Sequence, residues 1–268
     1  MPAKEKIYTI PVNDAFQSPH PCPLCDLYAD LEASLIEYYL GPALMESDVR
    51  QSTNQHGFCS EHWAMLYNSQ LNRLGLGLTI HTHLNELRAS LGQSLQKAKF
   101  EEAGFMQRLF KKNDQPEEQN VAAQIKQKAD DCVICRRLDQ TMERYLDVIY
   151  YQYFEVPGFK DEFHDNKLYC LKHLAFMLEN VPNYLRGERA KTFTEELIKD
   201  QLERWETLAS DVEWFTKKFD YRYKNEPWKN SKDSIPRAIN FLGSSPQLEG
   251  TGFGKVRDAE EMEANDER

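Results

Sequence analysis

The sequence lacks the features of membrane and exported proteins. The longest apolar stretch, at residues 74–80, is far shorter than the roughly 20 residues that a membrane-spanning helix needs. The N-terminal sequence MPAKEKIYTIPVND has no apolar signal region, so we expect a cytoplasmic protein with no membrane partner. Acidic side chains outnumber basic ones by 43 to 33, and the net charge of −10 disfavours non-specific binding to nucleic acids.

The known catalytic signatures are also missing. The sequence contains no glycine-rich phosphate-binding loop before a helix, no G-x-S-x-G motif and no H-E-x-x-H motif. These absences favour a non-enzymatic protein. An enzyme built on this chain would have to use residues outside those motifs, such as Arg73, His81 or His83.

The six cysteines, by contrast, follow a pattern that occurs twice. The chain contains two copies of a C-x-x-C motif that is followed, after a gap of 33 or 34 residues, by a C-x-x-H motif. The residues of these motifs are, in chain order, Cys22, Cys25, Cys59, His62, Cys132, Cys135, Cys170 and His173. The offset between the two sets is nearly constant at 110 or 111 residues, which indicates an internal repeat.

The residue types in these motifs predict zinc. Three thiolates and one imidazole form a complete tetrahedral donor set for Zn²⁺. We predict two zinc ions per chain, one in each half of the sequence. The predicted ligands are Cys22, Cys25, Cys59 and His62 for the first ion, and Cys132, Cys135, Cys170 and His173 for the second. Neither set leaves an open coordination position, so a structural role is favoured over a catalytic one.

Other cysteine chemistries fit the sequence less well. A disulfide framework is typical of small exported proteins, and a thioredoxin-like dithiol needs a βαβ context, whereas the flanking pattern here is helical. Iron–sulfur clusters are commonly held by four cysteines. An iron–sulfur cluster and thiol redox chemistry remain the alternatives to zinc.

The apolar residues predict a mainly α-helical fold. They recur about every four residues after each C-x-x-C motif, as on one face of an amphipathic helix. We predict two pseudo-repeated helical units, each pinned by a Cys3His zinc site and packed into one body. The predicted segments are an extended arm at 1–17, a first unit at 18–110, a linker at 111–127, a second unit at 128–224 and a C-terminal extension at 225–268 that is largely disordered after 243.

A long helix predicted at residues 188–223 carries an apolar stripe with near-heptad spacing. The members of the stripe are Ile198, Leu202, Trp205, Val212, Phe215 and Phe219. Such a stripe is more typical of a core face than of a self-association surface. A homo-oligomer that uses this stripe is the alternative.

These patterns lead to one functional hypothesis and two alternatives. The hypothesis is a zinc-stabilised helical scaffold that binds a protein or small-molecule partner in a groove between the two units. The first alternative is a thiol–zinc redox switch, in which oxidation releases the metal and loosens the helix pairs. The second is an enzyme with a pocket between the repeats.

Segments outside the cysteine motifs resemble a known family. The family is an uncharacterised bacterial one, found mainly in Firmicutes, whose members share a CPLC motif followed by GFC-x-x-H. The resemblance lies in the segments KEKIYTIPVNDAF, CPLCDLYADLE, GPALMESDVR, GFCSEHWAMLY and NRLGLGLTIHTHL, and it extends to about residue 222. It implies a cytoplasmic bacterial protein and supplies no activity.

Overall fold

A computed structural model describes residues 7–97 and 121–243, and most of these residues are helical. Within these two ranges no residue forms a β-strand, so the predicted mainly α-helical fold is confirmed. The α-helices are, in chain order, α1 (Thr9–Gln17), α2 (Pro23–Leu40), α3 (Ser47–His56), α4 (Ser60–Asn68), α5 (Arg73–Lys97), α6 (Val121–Asp130), α7 (Val133–Glu155), α8 (Phe159–His164), α9 (Leu171–Tyr184), α10 (Gly187–Lys217) and α11 (Ser234–Gly243), and a 3-10 helix at Pro42–Met45 follows α2. None of the helices in the described ranges combines the length and the apolar character needed to cross a bilayer.

The internal contacts divide the chain into two compact units. The first consists of Met1–Ala29 and Thr141–Arg268, and the second of Asp30–Gln140. The chain passes between them within α2 and again within α7. These units do not coincide with the segments predicted at 18–110 and 128–224, because the first unit takes residues from both. Most of the predicted linker, and the region predicted to be disordered after residue 243, lie outside the described residues.

The core of the first unit is an aromatic cluster. Phe163 is fully buried, and its ring centroid lies 5.1 Å from that of Tyr153 and 5.5 Å from that of Phe193. Phe16 of α1 extends the cluster, with its ring centroid 4.9 Å from that of Phe159. Aromatic pairs at these separations add stabilisation beyond the apolar area that they bury.

Helix α1 shows that the predicted extended arm is wrong over residues 9–17. Val12, Ala15 and Phe16 are buried, and their spacing of three and four residues places them on one face of a helix. Pro11 is compatible with this helix. It lies in the first turn of α1, where a backbone N–H would have no partner within the helix, so its ring is tolerated.

The second unit contains a series of aromatic contacts around the start of α4. The ring centroid of Phe58 lies 5.4 Å from that of Tyr39 on α2 and 4.8 Å from that of Trp63 on α4. The Trp63 ring in turn lies 6.0 Å from the ring of His83 on α5. This chain of ring contacts joins α2, α4 and α5 around the segment that precedes Cys59.

Helix α10 buries a different face from the one predicted. The buried residues are Phe193, Leu197, Gln201 and Leu208. Four members of the predicted core stripe are exposed, namely Ile198 (40%), Leu202 (56%), Trp205 (47%) and Phe219 (64%), so the prediction of a core stripe is wrong for them. The helix ends at Lys217, so Phe219 lies beyond it. The homo-oligomer stays a prediction.

The burial of a glutamine explains why the sequence pattern misled. Gln201 occupies a core position because its side-chain amide is satisfied by the backbone. Its Oε1 accepts the N–H of Tyr169 at 2.8 Å, and its Nε2 donates to the carbonyl of Lys167 at 3.1 Å. A hydrogen-bonded amide loses little on burial, and an analysis of apolar spacing does not detect it.

Candidate metal centres

The structure gathers the eight predicted ligand residues into two clusters, but it pairs the motifs differently from the prediction. We name the clusters by the order of their residues along the chain. The outer cluster consists of Cys22, Cys25, Cys170 and His173, and the inner cluster consists of Cys59, His62, Cys132 and Cys135, which lie between them in the sequence. Each cluster therefore combines the C-x-x-C motif of one half with the C-x-x-H motif of the other. The predicted grouping of the motifs within each half is wrong.

The spacing of the motifs could not reveal this nested pairing. Pairing within each half and pairing between the halves both produce two Cys3His sets, so donor chemistry does not distinguish them. Helix α2 adds a geometric reason. It begins at the first C-x-x-C motif and is about 27 Å long for its 18 residues, so the chain has moved well away from Cys25 before it turns at Gly41.

In the outer cluster, four buried side chains converge on one point. The Sγ atom of Cys170 lies 3.9 Å from that of Cys22 and 3.6 Å from that of Cys25. The Nδ1 atom of His173 lies between 3.2 and 3.6 Å from the three sulfurs. All four residues are buried, and Cys170 is only 1% exposed.

The inner cluster has the same arrangement with more access to solvent. The Nδ1 atom of His62 lies 3.1 Å from the sulfur of Cys59 and 3.4 Å from the sulfurs of Cys132 and Cys135. The sulfurs of Cys59 and Cys135 are 3.8 Å apart. Cys132 and His62 are buried, whereas Cys59 and Cys135 are partly exposed.

These separations fit a tetrahedral metal site. Zinc bonds of about 2.3 Å to sulfur and about 2.0 Å to nitrogen imply tetrahedral edges of about 3.8 Å between sulfurs and about 3.5 Å between sulfur and nitrogen. The measured sulfur–sulfur distances are 3.6, 3.8 and 3.9 Å, and the sulfur–nitrogen distances range from 3.1 to 3.6 Å. A disulfide would need about 2.05 Å, so none of these sulfur pairs is bonded.

Both clusters lie at the positive ends of helices. Cys59 and Cys170 are the N-cap residues of α4 and α9, and the C-x-x-C motifs overlap the starts of α2 and α7. Helix N-termini carry partial positive charge and free N–H groups, which stabilise thiolates. In the inner cluster the N–H of Cys135 donates to the sulfur of Cys132 at 3.5 Å.

A backbone hydrogen bond also links the two motifs of each cluster, in a different way in each. In the inner cluster the N–H of Val133 donates to the carbonyl of Gly57 at 3.1 Å. The residue of the outer cluster that corresponds to Val133 is Pro23, which has no N–H. There the bond instead runs from the N–H of Leu168 to the carbonyl of Pro21, at 2.9 Å.

A comparison with known protein families identifies the family of this chain. The model of a family described as "Family of unknown function (DUF6062)" matches residues 3–248, a range that contains all eight cluster residues. The chain belongs to this family. Searches of curated proteins and of solved structures found no match. The resemblance to an uncharacterised family is confirmed to this extent, whereas the bacterial origin stays a prediction.

The two imidazoles of this DUF6062 chain differ in their second ring nitrogen. The Nε2 atom of His62 lies 3.2 Å from Oε1 of Glu32, which is the kind of carboxylate partner that metal-binding histidines commonly have. The Nε2 atom of His173 is buried and has no hydrogen-bond partner among the described residues. The inner imidazole is therefore oriented by a charged group, and the outer one by packing.

Without a cation, the clustered thiols of the DUF6062 chain cannot all ionise. In the outer cluster, burial raises the pKa of Cys22, and a hydrogen bond with Cys170 raises the pKa of Cys25 to about 12. The thiols of Cys22 and Cys25 both donate hydrogen bonds to the sulfur of Cys170, and these bonds lower the pKa of Cys170. The three sulfurs of the outer cluster therefore carry one negative charge between them. A divalent cation at the centre would supply the positive charge that three thiolates require.

The inner cluster shares its negative charge in the same way. Burial opposes ionisation of Cys132, but hydrogen bonds from His62 and from backbone N–H groups lower the pKa of this thiol to about 6. Burial also works against the charged form of His62, but the hydrogen bonds with Cys132 and Glu32 raise its pKa to about 10. Burial and the charge of Cys132 raise the pKa of Cys135.

The three residues considered for an enzyme site have separate environments in the DUF6062 chain. The guanidinium of Arg73 donates to the side chain of Gln70 at 2.9 Å, and His81 is exposed. His83 is buried, with its Nδ1 2.8 Å from the carbonyl oxygen of Asn54. Arg73, His81 and His83 do not line the cavity of about 390 Å³ beside Phe16 or the cavity of about 290 Å³ beside Leu44.

Proposed function

We propose that this chain is a non-enzymatic helical scaffold in which two structural zinc ions hold the starts of helices together. The observation that carries the proposal is the fit of both clusters to a tetrahedral Cys3His site in donor type and in separation. Structural zinc of this kind contributes on the order of 10 kcal/mol to folding, which is comparable with the whole stability of an ordinary domain.

The donor set supports zinc over the alternatives. Soft thiolate ligands in a tetrahedral arrangement select zinc or iron–sulfur clusters among the common biological metals. The donor atoms of each cluster all lie within 4.8 Å of one another, which suits one ion and leaves no room for a cluster of several irons and sulfides.

The positions of the ligands support a structural role. The outer site would tie the start of α2 to the start of α9, and the inner site would tie the start of α4 to the start of α7. Four protein ligands fill a tetrahedral coordination shell, whereas catalytic zinc keeps a position for water or substrate. The eight side chains would therefore hold the helix pairs in place and leave no coordination position open to a substrate.

The proposal includes a cellular setting and a partner. The six cysteines form no disulfide bond in the structure, which suits a reducing compartment. We therefore propose a cytoplasmic location, in a bacterium according to the resemblance in the sequence. We also propose that the scaffold binds a protein or a small molecule, or associates with a second copy of itself.

Native mass spectrometry of freshly purified protein tests this function. We expect two zinc ions per chain, and the same spectra report the number of subunits and any molecule that co-purifies. Iron in place of zinc, or fewer than two metal ions per chain, would contradict the proposal. The His81→Ala variant is a suitable control, because His81 is an exposed histidine outside both clusters, and it should keep both ions.

A further inference from the structure

The two clusters have the same donors but different access to solvent. All four residues of the outer cluster are buried. In the inner cluster, Cys59 and Cys135 are partly exposed, whereas Cys132 and His62 are buried. Two of the three inner cysteines are therefore partly open to solvent and to small dissolved oxidants, whereas the three outer cysteines are shielded.

The sulfurs of these two partly exposed cysteines also lie close together. The Sγ atoms of Cys59 and Cys135 are 3.8 Å apart, and a disulfide bond requires them to approach to about 2.05 Å. Cys59 is the N-cap residue of α4, and Cys135 lies in the first turn of α7. Zinc bound at this cluster would hold both sulfurs as thiolates, which is the form of cysteine that reacts with peroxide.

We propose that the inner cluster is a peroxide-reactive zinc–thiolate site, at which oxidation joins Cys59 to Cys135 and releases the metal. This inference rests on the proposed function, because it requires zinc at both clusters. It assigns different roles to two sites with the same donors. The outer cluster stays a permanent structural site, and the inner cluster responds to oxidants.

The reaction balances with hydrogen peroxide as the oxidant. The thiolate of Cys59 attacks one peroxide oxygen, so that an S–O bond forms, the O–O bond breaks and hydroxide leaves. The thiolate of Cys135 then attacks the sulfenic sulfur, so that an S–S bond forms, the S–O bond breaks and a second hydroxide leaves. Two protons from solvent convert both hydroxides to water. The two cysteines lose two electrons, and the peroxide gains them.

Oxidation leaves the inner site with too few ligands. Only Cys132 and His62 would still face the metal, because the sulfurs of a disulfide are no longer thiolates. The new bond would still hold α4 to α7, but the link through His62 would be lost. A thiol reductant together with zinc would restore the original site, since disulfide formation is reversible.

The outer cluster is a control within the same molecule. In that cluster the sulfurs of Cys25 and Cys170 are 3.6 Å apart, which is slightly closer than the inner pair. These two residues are only 5% and 1% exposed. If proximity alone decided reactivity, the outer pair would oxidise first, whereas access to solvent predicts that the inner pair does.

The experiment treats the full-length zinc-loaded protein with a small molar excess of hydrogen peroxide. Native mass spectrometry first verifies two zinc ions per chain, and a protein without them would contradict the proposed function before any oxidant is added. We expect one ion to be released at least about ten times faster than the other, and peptide mapping to identify a Cys59–Cys135 disulfide. Release of both ions at one rate, release of neither, or a Cys25–Cys170 or Cys132–Cys135 disulfide would overturn the inference.

Two variants assign the released ion to a cluster. Cys170→Ser disables the outer site, so its remaining zinc should be released by peroxide as readily as the fast ion of the wild type. Cys59→Ser disables the inner site, so its remaining zinc should resist the same treatment. The reverse pattern would overturn the inference. If either variant fails to fold, differential alkylation of the wild-type cysteines during oxidation supplies the same assignment.

Discussion

Oε1 of Glu32 lies 3.2 Å from Nε2 of His62, and the other nitrogen of that ring faces three cysteine sulfurs. A carboxylate in this position accepts a hydrogen bond from the Nε2–H group. The proton is thereby held on Nε2, and the lone pair of Nδ1 is free to bind a metal. Among the described residues the outer imidazole, of His173, has no such partner on its Nε2. The carboxylate is therefore a feature by which the two sites can be distinguished experimentally.

Removal of this carboxylate should weaken the inner site alone. We expect Glu32→Ala to lower the zinc affinity of the inner site by about 10- to 100-fold, because the imidazole loses both its orientation and part of its basicity. Competition with a coloured chelator measures the affinity of each site. Glu37→Ala, at an exposed position on the same helix, should leave both affinities unchanged. An equal loss at both sites would contradict the assignment of Glu32 to His62.

Pairs of serine substitutions test the nested pairing. Cys22 and Cys170 share the outer cluster, so the Cys22→Ser/Cys170→Ser double variant should keep one zinc ion. Cys22 and Cys59 belong to different clusters, so the Cys22→Ser/Cys59→Ser double variant should keep none. If Cys22 instead shared a site with Cys59, the first double variant would keep no zinc and the second would keep one ion. Each single variant should keep one ion, and native mass spectrometry counts them.

Zinc binding at the outer cluster should release protons. The pKa of Cys25 is raised to about 12 by its hydrogen bond with Cys170, and burial raises the pKa of Cys22, so both thiols are protonated near neutral pH. Because zinc must displace both protons, its apparent affinity should fall about 100-fold for each unit by which the pH decreases. Calorimetry in buffers of different ionisation enthalpy counts the protons released. An affinity that does not depend on pH would contradict this prediction.

Gly57 should tolerate no side chain. Its φ of +67° favours glycine, and an added Cβ would lie 2.4 Å from Nε2 of His83. We expect Gly57→Ala to lower the free energy of unfolding by about 2 kcal/mol. Gly77→Ala, where an added Cβ would meet nothing within 4 Å, should instead raise it by about 0.5 kcal/mol, because alanine favours the helix. Chemical denaturation of the zinc-loaded variants measures both effects, and similar changes would contradict the clash.

Lys218 should contribute to stability through the backbone that it contacts. Its ammonium group is buried at the end of α10 and donates to the carbonyls of Tyr223, Lys224 and Glu226. Lys218→Met removes the donors and leaves these acceptors without them, so we expect a loss of about 3 kcal/mol in the free energy of unfolding. Lys217→Met at the neighbouring, partly exposed position should change stability little, because Lys217 pairs with exposed Glu213. Equal effects would contradict the prediction.

Much of the candidate site could be predicted from spacing, because spacing reflects local geometry. C-x-x-C and C-x-x-H place two donors on one turn at the start of a helix, and the structure has helix starts at all four motifs. The partner of each motif depends on tertiary packing, which donor chemistry leaves open. The same limit applies to α10, where hydrogen bonds to the backbone allow Gln201 to occupy the core beside Leu197.

The nested order of the ligands determines the sequence of events during protein synthesis. Translation releases the N-terminal part of the chain first, so the inner set is complete once Cys135 has left the ribosome, whereas the outer set must wait for His173. The inner closure spans 70 residues and the outer one 145. Formation of the inner site first roughly halves the loop that the outer site must close, which lowers the entropic cost by about 0.6 kcal/mol. A nascent chain arrested when Cys135 has left the ribosome and Cys170 has not should therefore already hold one ion, and the two cysteines that were synthesised first would be the last to find their partners.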